Sequence, residues 1–232
     1  MSKAYEYLRR LSRYPHRGTA TPLEAAAAKE MAGWLREMGY SVSLQPFRAP
    51  RDTLYLGPSV VMLGFILGAA LGRGVPWAGI GVSLLFLAPM VGELLGSSWL
   101  DFDWLLPTYP SQNVVARKAP AGSPGRTLVI TAHYDTQRAS LLFHPRMAPH
   151  LQGYFTCVYA LLAAVPVLLL LRWIGATWTA QALTVAGGLL AVNVLFLAVC
   201  WRTGRYINGA NDNGSGVAMA LALAERFATI AL

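Results

Sequence analysis

Two short stretches carry residue types whose spacing could do chemistry. In "TAHYDT", residues 131–136, His133 and Asp135 sit two positions apart at the end of an apolar run, "RTLVITAH" (126–133). Side chains two apart on an extended chain point the same way. A neutral imidazole is a good zinc ligand. A carboxylate beside it either reaches the metal or orients the histidine. The plainer alternative is a His and an Asp that merely end a strand. The second stretch is "NGANDNGSGVAMALALAE" (208–225), which sets Asp212 just before an Ala/Leu-rich helix beginning near Ser215. A carboxylate there gains from the free N–H groups and the dipole of the helix. Asp212 therefore reads either as a cap or as a ligand. Gly209, Gly214 and Gly216 are more glycine than a cap needs, and suggest a backbone folded closely around something. No GxxxxGK phosphate loop is present, and the spacing does not fit an EF-hand.

The polar segments around these stretches supply elements to hold them. "TPLE" (21–24) is a helix start, with Thr21 as N-cap, Pro22 at the first helical position and Glu24 closing a capping box. The helix runs to Gly39, and Met31, Trp34, Leu35 and Met38 mark its apolar face. "YSVSLQPF" (40–47) and "SQNVVARK" (111–118) read as strands. "GSPG" (122–125) is a turn leading into a third strand, 126–133. Together these predict an α/β fold with a mixed sheet. In such sheets ligand sites collect at strand carboxyl ends, where His133 and Asp135 lie.

Composition sets a second frame. The chain is 55% hydrophobic and only 13% charged, against about 25% charged in an ordinary soluble domain. Four runs lack Asp, Glu, Lys and Arg altogether: 54–72, 75–92, 151–171 and 178–201. Each approaches the roughly 20 apolar residues that span a bilayer; the second is the weakest, being short and interrupted by Pro76 and Pro89. Short connections join them as two hairpins. The expected division is 1–53, the first part of the α/β domain; 54–92, transmembrane hairpin 1; 93–150, the central part; 151–201, transmembrane hairpin 2; and 202–232, the Asp212 loop and its helix. All polar segments then face one side of the membrane. Arg48, Arg51, Arg146, Arg202 and Arg205 lie near the spans on that side, against Arg73 and Arg172 in the far loops. The positive-inside rule makes the polar side cytoplasmic. "SSWLDFDWLL" (97–106) reads as a segment lying at the interface. The chain opens without an apolar signal-peptide core, which places its start in the cytoplasm. Gly64, Gly68 and Gly72 recur every four residues, a spacing that permits close helix packing.

Other classes fit less well. The net charge of +8 comes from scattered Lys and Arg with no basic run, so no nucleic-acid partner is expected. Cys157 and Cys200 lie inside apolar runs and read as small buried hydrophobes rather than a disulfide or metal site. The spans hold no ionisable residue of the kind that marks an ion pathway, which argues against a transporter.

"ITAHYDT" followed by "NGANDNGSGVAMALALAERF" resembles the zinc aminopeptidases of the aminopeptidase Y and bacterial leucyl aminopeptidase type, whose fold is shared by glutamate carboxypeptidase, glutaminyl cyclase and the transferrin receptor ectodomain. "HRGTATPLEAAAAKEMAGWLREMGYSV" is similar to that family's opening helix and strand. The resemblance covers essentially all the polar segments, and the hairpins fall between its strands. It implies that His133 binds one zinc, that Asp212 bridges two zinc ions, and that Asp135 orients His133. Two metals about 3.5–4 Å apart polarise a peptide carbonyl and activate a water. The family pattern continues with a Glu-Glu pair, a further Asp and a further His, which supply the general base and the remaining ligands. None follows the Asp212 motif here, and His16, His144 and His150 precede it. A catalytic zinc needs three protein ligands. The expectation is a zinc peptidase embedded in a lipid bilayer and acting on a peptide substrate, present as an N-terminal fragment and inactive by itself. The alternative is a catalytically inactive membrane protein on the same partial zinc-peptidase-like scaffold.

Overall fold

A computed structural model describes residues 2–95, 106–120 and 126–229. The chain divides into two compact units. One comprises Met1–Arg51, Thr108–Arg138 and Arg205–Leu232; the other comprises Asp52–Pro107 and Ala139–Gly204. Residues 122–125 and 97–105, read as a turn and as most of an interfacial segment, lie outside the described residues.

The first unit is built on three helices and a hairpin-like pair of strands. Helix α1 (Lys3–Leu11) starts where Ser2 Oγ accepts the Tyr5 N–H at 3.4 Å, and it buries Tyr7 and Leu11. Its charge and aromatics hid it in the sequence. Helix α2 (Pro22–Glu37) starts as expected, with Thr21 Oγ1 accepting the Glu24 N–H at 3.3 Å. Glu24 differs in detail from a capping box. Its Oε2 accepts the N–H of Ala20 at 2.8 Å, one residue before Thr21, and its Oε1 accepts the Ser111 hydroxyl at 2.7 Å. Gly39, at φ +87°, occupies the left-handed turn after the helix. Met31, Trp34 and Leu35 pack with Tyr7 and Leu11, and with Val217, Ala218 and Leu221 of α7 (Ser215–Ala228); Met38 flanks this core. The side-chain ammonium of Lys118 caps the far end of α7, donating to the carbonyls of Phe227 and Ala228 at 2.6 and 2.8 Å.

Strands β1 (Ser41–Pro50) and β2 (Thr108–Arg117) pair antiparallel over ten residues, from Ser41 opposite Arg117 to Pro50 opposite Thr108. Pro46 and Pro110 are compatible with a two-stranded sheet because each strand has one unpaired side, where a missing N–H costs no ladder bond. A second, short pair joins β3 (Arg138–Ala139) to β4 (Arg205–Tyr206). The expected mixed sheet is therefore not what forms among the described residues: the main sheet is antiparallel, and the parallel element is an isolated bridge between Gly18 and Thr136. Residues 126–133 form no strand either. Leu128 and Val129 stand 70% and 71% exposed. An apolar run records a residue's preference for a sheet but not whether a neighbouring strand is there to complete the ladder.

The second unit consists chiefly of helices α3 (Thr53–Gly72), α4 (Pro76–Leu94), α5 (Leu151–Trp173) and α6 (Thr179–Thr203). Three of them, with limits Thr53–Gly72, Ala148–Trp173 and Thr179–Thr203, are long and apolar enough to cross a membrane. The fourth expected span, α4, has the shortest described apolar part, Pro76–Gly92, and is not among these three. Tyr55, Phe65, Val165, Leu169, Leu183 and Leu190 form the core, while Leu84, Leu85, Val192 and Leu195 point outward. Helices apolar on every side belong in a core or a bilayer. The glycine stripe has a definite partner: a Cβ at Gly64 would collide with the Phe86 ring, one at Gly68 with Ser83, and one at Gly72 with Leu169. Cys200 is buried, but Cys157 is exposed, contrary to expectation. On a helix apolar all round, hydrophobicity does not tell the inward face from the outward one.

Candidate functional site

The two motifs, 79 positions apart from His133 to Asp212, meet in space. His133 Nε2 lies 3.3 Å from Asp212 Oδ1, and His133 Nδ1 lies 3.4 Å from Asp135 Oδ1. The imidazole thus sits between two carboxylates, one at each nitrogen. Thr19 fixes the inner one, its hydroxyl donating to Asp135 Oδ2 at 2.7 Å. The His133 and Asp212 side chains are largely solvent-exposed, at 57% and 71%, whereas Asp135 is 29% exposed. The open edge of the site is therefore the one between His133 Nε2 and Asp212.

Asp212 does not cap α7. It makes no capping bond, and its backbone (φ −121°, ψ 96°) is non-helical inside the tight Ala210–Gly214 turn that precedes the helix. The Gly214 N–H closes that turn on the Gly209 carbonyl at 2.8 Å, and the Asp212–Asn213 peptide is cis. Gly209 has φ +69°, and a Cβ there would run into Thr136. A Cβ at Gly216 would run into Asn213, whose side-chain amide donates to the His133 carbonyl at 3.4 Å. The glycines let the loop close down on its neighbours, as its composition suggested.

What the loop closes around is Arg17, a residue that no motif singles out. Arg17 is fully buried. Its Nε donates to the Tyr134 carbonyl at 2.7 Å, Nη1 to the carbonyls of Asn208 (2.9 Å) and Leu11 (3.3 Å), and Nη2 to that of Gly209 (3.2 Å). The main chain joins in: the Arg17 N–H donates to Thr136 Oγ1 at 2.9 Å, and the Thr136 N–H to the Arg17 carbonyl at 3.0 Å. Burial pushes the Arg17 pKa down while the Asp135 carboxylate opposes that shift. Asn208 adds a tie of its own, its amide donating to the carbonyls of Ser12 (3.0 Å) and Tyr14 (2.7 Å). Tyr134, between His133 and Asp135, points the other way and exchanges hydrogen bonds with Gln112; burial drives its phenol pKa upward, so it stays neutral.

The donor chemistry of the pair suits a zinc ion. Two donors of a tetrahedral zinc, each about 2.0–2.1 Å from it, lie about 3.3 Å apart, which is the separation of His133 Nε2 and Asp212 Oδ1. The set is short, however: among the described residues no group of three or more His, Cys, Asp or Glu side chains is placed to hold a metal ion. His16, nearby in sequence to Arg17, instead stacks on Tyr206 at 4.6 Å and accepts the Gly18 N–H through Nδ1. Comparison of the chain with protein families, with curated proteins and with solved structures finds no match.

Proposed function

We propose that this chain carries residues of a membrane-anchored zinc peptidase site, in which His133 and Asp212 hold metal and Asp135 orients His133. The observation that supports it best is the convergence of His133 Nε2 and Asp212 Oδ1 at 3.3 Å, with a carboxylate behind the other imidazole nitrogen. A histidine ligand backed by a carboxylate is the usual arrangement at protein zinc sites. Bound there, zinc would supply Lewis acidity toward a peptide carbonyl and a water acidified toward neutral pH. The chain's own part is narrower. Asp135 keeps a proton on Nδ1, which leaves Nε2 as the donor lone pair. Asp212, exposed at the loop's tip, has a second carboxylate oxygen available for a second ion, as a bridge requires. The resemblance of the two motifs to zinc aminopeptidases supplies the substrate class, a peptide attacked near its N-terminus. The two hairpins and the cytoplasmic orientation of the first unit belong to the same proposal.

A second reading is an inactive membrane protein on this scaffold, and the absence of a third ligand among the described residues favours it. An aminopeptidase assay on the product of the full reading frame decides between them. Hydrolysis abolished by a chelator and restored by zinc supports the first reading. No hydrolysis with zinc bound supports the second.

A further inference from the structure

We infer that Arg17 is the positioning residue of this site, a buried guanidinium that clamps the His133 loop to the Asp212 loop so that their ligand atoms face one another. The inference rests on the proposed metal reading for its metal arm, but the clamp itself can be tested without metal. Arginine is rarely fully buried unless paired. Here its paired groups are four backbone carbonyls from three separate segments: Leu11 at the end of α1, Tyr134 in the His133 loop, and Asn208 and Gly209 in the Asp212 loop. Carbonyl acceptors suit the charge, because a buried cation must replace its lost hydration with hydrogen bonds. The geometry is specific to arginine. A planar guanidinium presents five N–H donors in a fixed fork, whereas a lysine ammonium is a compact group that cannot reach four carbonyls so disposed. The segments also touch directly, through the Ile207 N–H to the Gln137 carbonyl at 3.1 Å beside the β3–β4 pair and through Asn213 to the His133 carbonyl at 3.4 Å; Arg17 ties both of them to the end of α1 as well. Gly209 and Gly214 complete the fit, since a Cβ at either would stand 3.3–3.4 Å from Nη2.

Hydrogen exchange on the full chain, freed of metal by chelation, tests the clamp. Arg17→Ala should lower amide protection in 131–136 and 206–214 together by about tenfold or more, the scale of one charge-assisted hydrogen bond. Arg17→Lys, the milder change if the alanine variant folds poorly, should lower both as well, and free guanidinium should restore both in the alanine variant. Leu35→Ala, a core change in α2 away from the loops, should instead lower protection throughout the first unit. Zinc affinity forms the second arm: it should fall about tenfold or more with Arg17→Ala and stay within about twofold with Leu35→Ala. Unchanged protection in either loop, a loss no greater in the loops than in α2, or guanidinium that leaves the loops open would each overturn the clamp. If wild type binds no zinc while the loops behave as stated, the metal reading fails and the clamp stands.

Discussion

His133 has its two nitrogens divided between two carboxylates, and the division assigns them different work. Asp135 is the more enclosed and is tied down by Thr19; Asp212 is exposed on a glycine-bounded turn. Asp135→Asn should therefore leave the fold intact but weaken zinc binding about 10–100-fold, as loss of a carboxylate behind a histidine ligand does; isothermal titration with zinc would show it, and equal affinity would remove Asp135 from the site. Gly209→Ala tests the turn itself. It puts a side chain at φ +69° and against Thr136, and should lower the first unit's stability by about 1–3 kcal/mol. Equal urea midpoints for this variant and wild type would contradict it. At this scale the sequence was informative where chemistry and glycine coincide: "HYD" and "GANDNGSG" each point to a site. Arg17 and Thr19 were not legible, because nothing in "HRGTAT" distinguishes a buried arginine from the solvated kind found on most surfaces.

Among the elements, α2 and its cap carry the first unit's clearest energetic prediction. Glu24 is buried and accepts hydrogen bonds from the Ala20 N–H and the Ser111 hydroxyl, so it ties α2 to β2. Glu24→Ala leaves both donors unpaired and should cost about 1–3 kcal/mol, measurable by chemical denaturation. Burial raises its pKa above the ordinary 4.5, with the Ser111 and Ala20 bonds opposing and Asp135 adding to the rise. The folded state therefore holds this proton more tightly than the unfolded chain. Its contribution is fully present below pH 4.5 and is lost as pH rises through the raised value. Glu24→Gln should remove that slope from the stability profile, and an unaltered slope would show that another group produces it. The elements themselves were legible where caps and periodicity agree, as in α2, β1 and β2. They were not legible where pairing decides: 126–133 has the composition of a strand and no ladder partner among the described residues. Helix α1 shows the reverse, a helix whose mixture of arginines and tyrosines masked the face that Tyr7 and Leu11 bury.

For the whole molecule, the division into two compact units interleaved along the chain parallels the alternation of polar and apolar segments in the sequence. Apolar length alone identified the helices of the second unit, since a bilayer imposes a length that composition can express. The least regular of the four is α4, which carries Pro76 at its start and Pro89 inside and whose described apolar part, Pro76–Gly92, is the shortest. Orientation is the part that can be settled from outside. A reporter active only in the cytoplasm, fused after Pro120 and separately near Arg172, should give opposite signals if the two hairpins return to one side; equal signals would reject that topology.

The central claim is that His133 and Asp212 face the same metal. Zinc content per chain, measured on the product of the full reading frame after dialysis, tests it most directly against His133→Ala and Asp212→Ala. The account predicts that wild type retains zinc and that each variant retains less. Zinc content unchanged in both variants would contradict it.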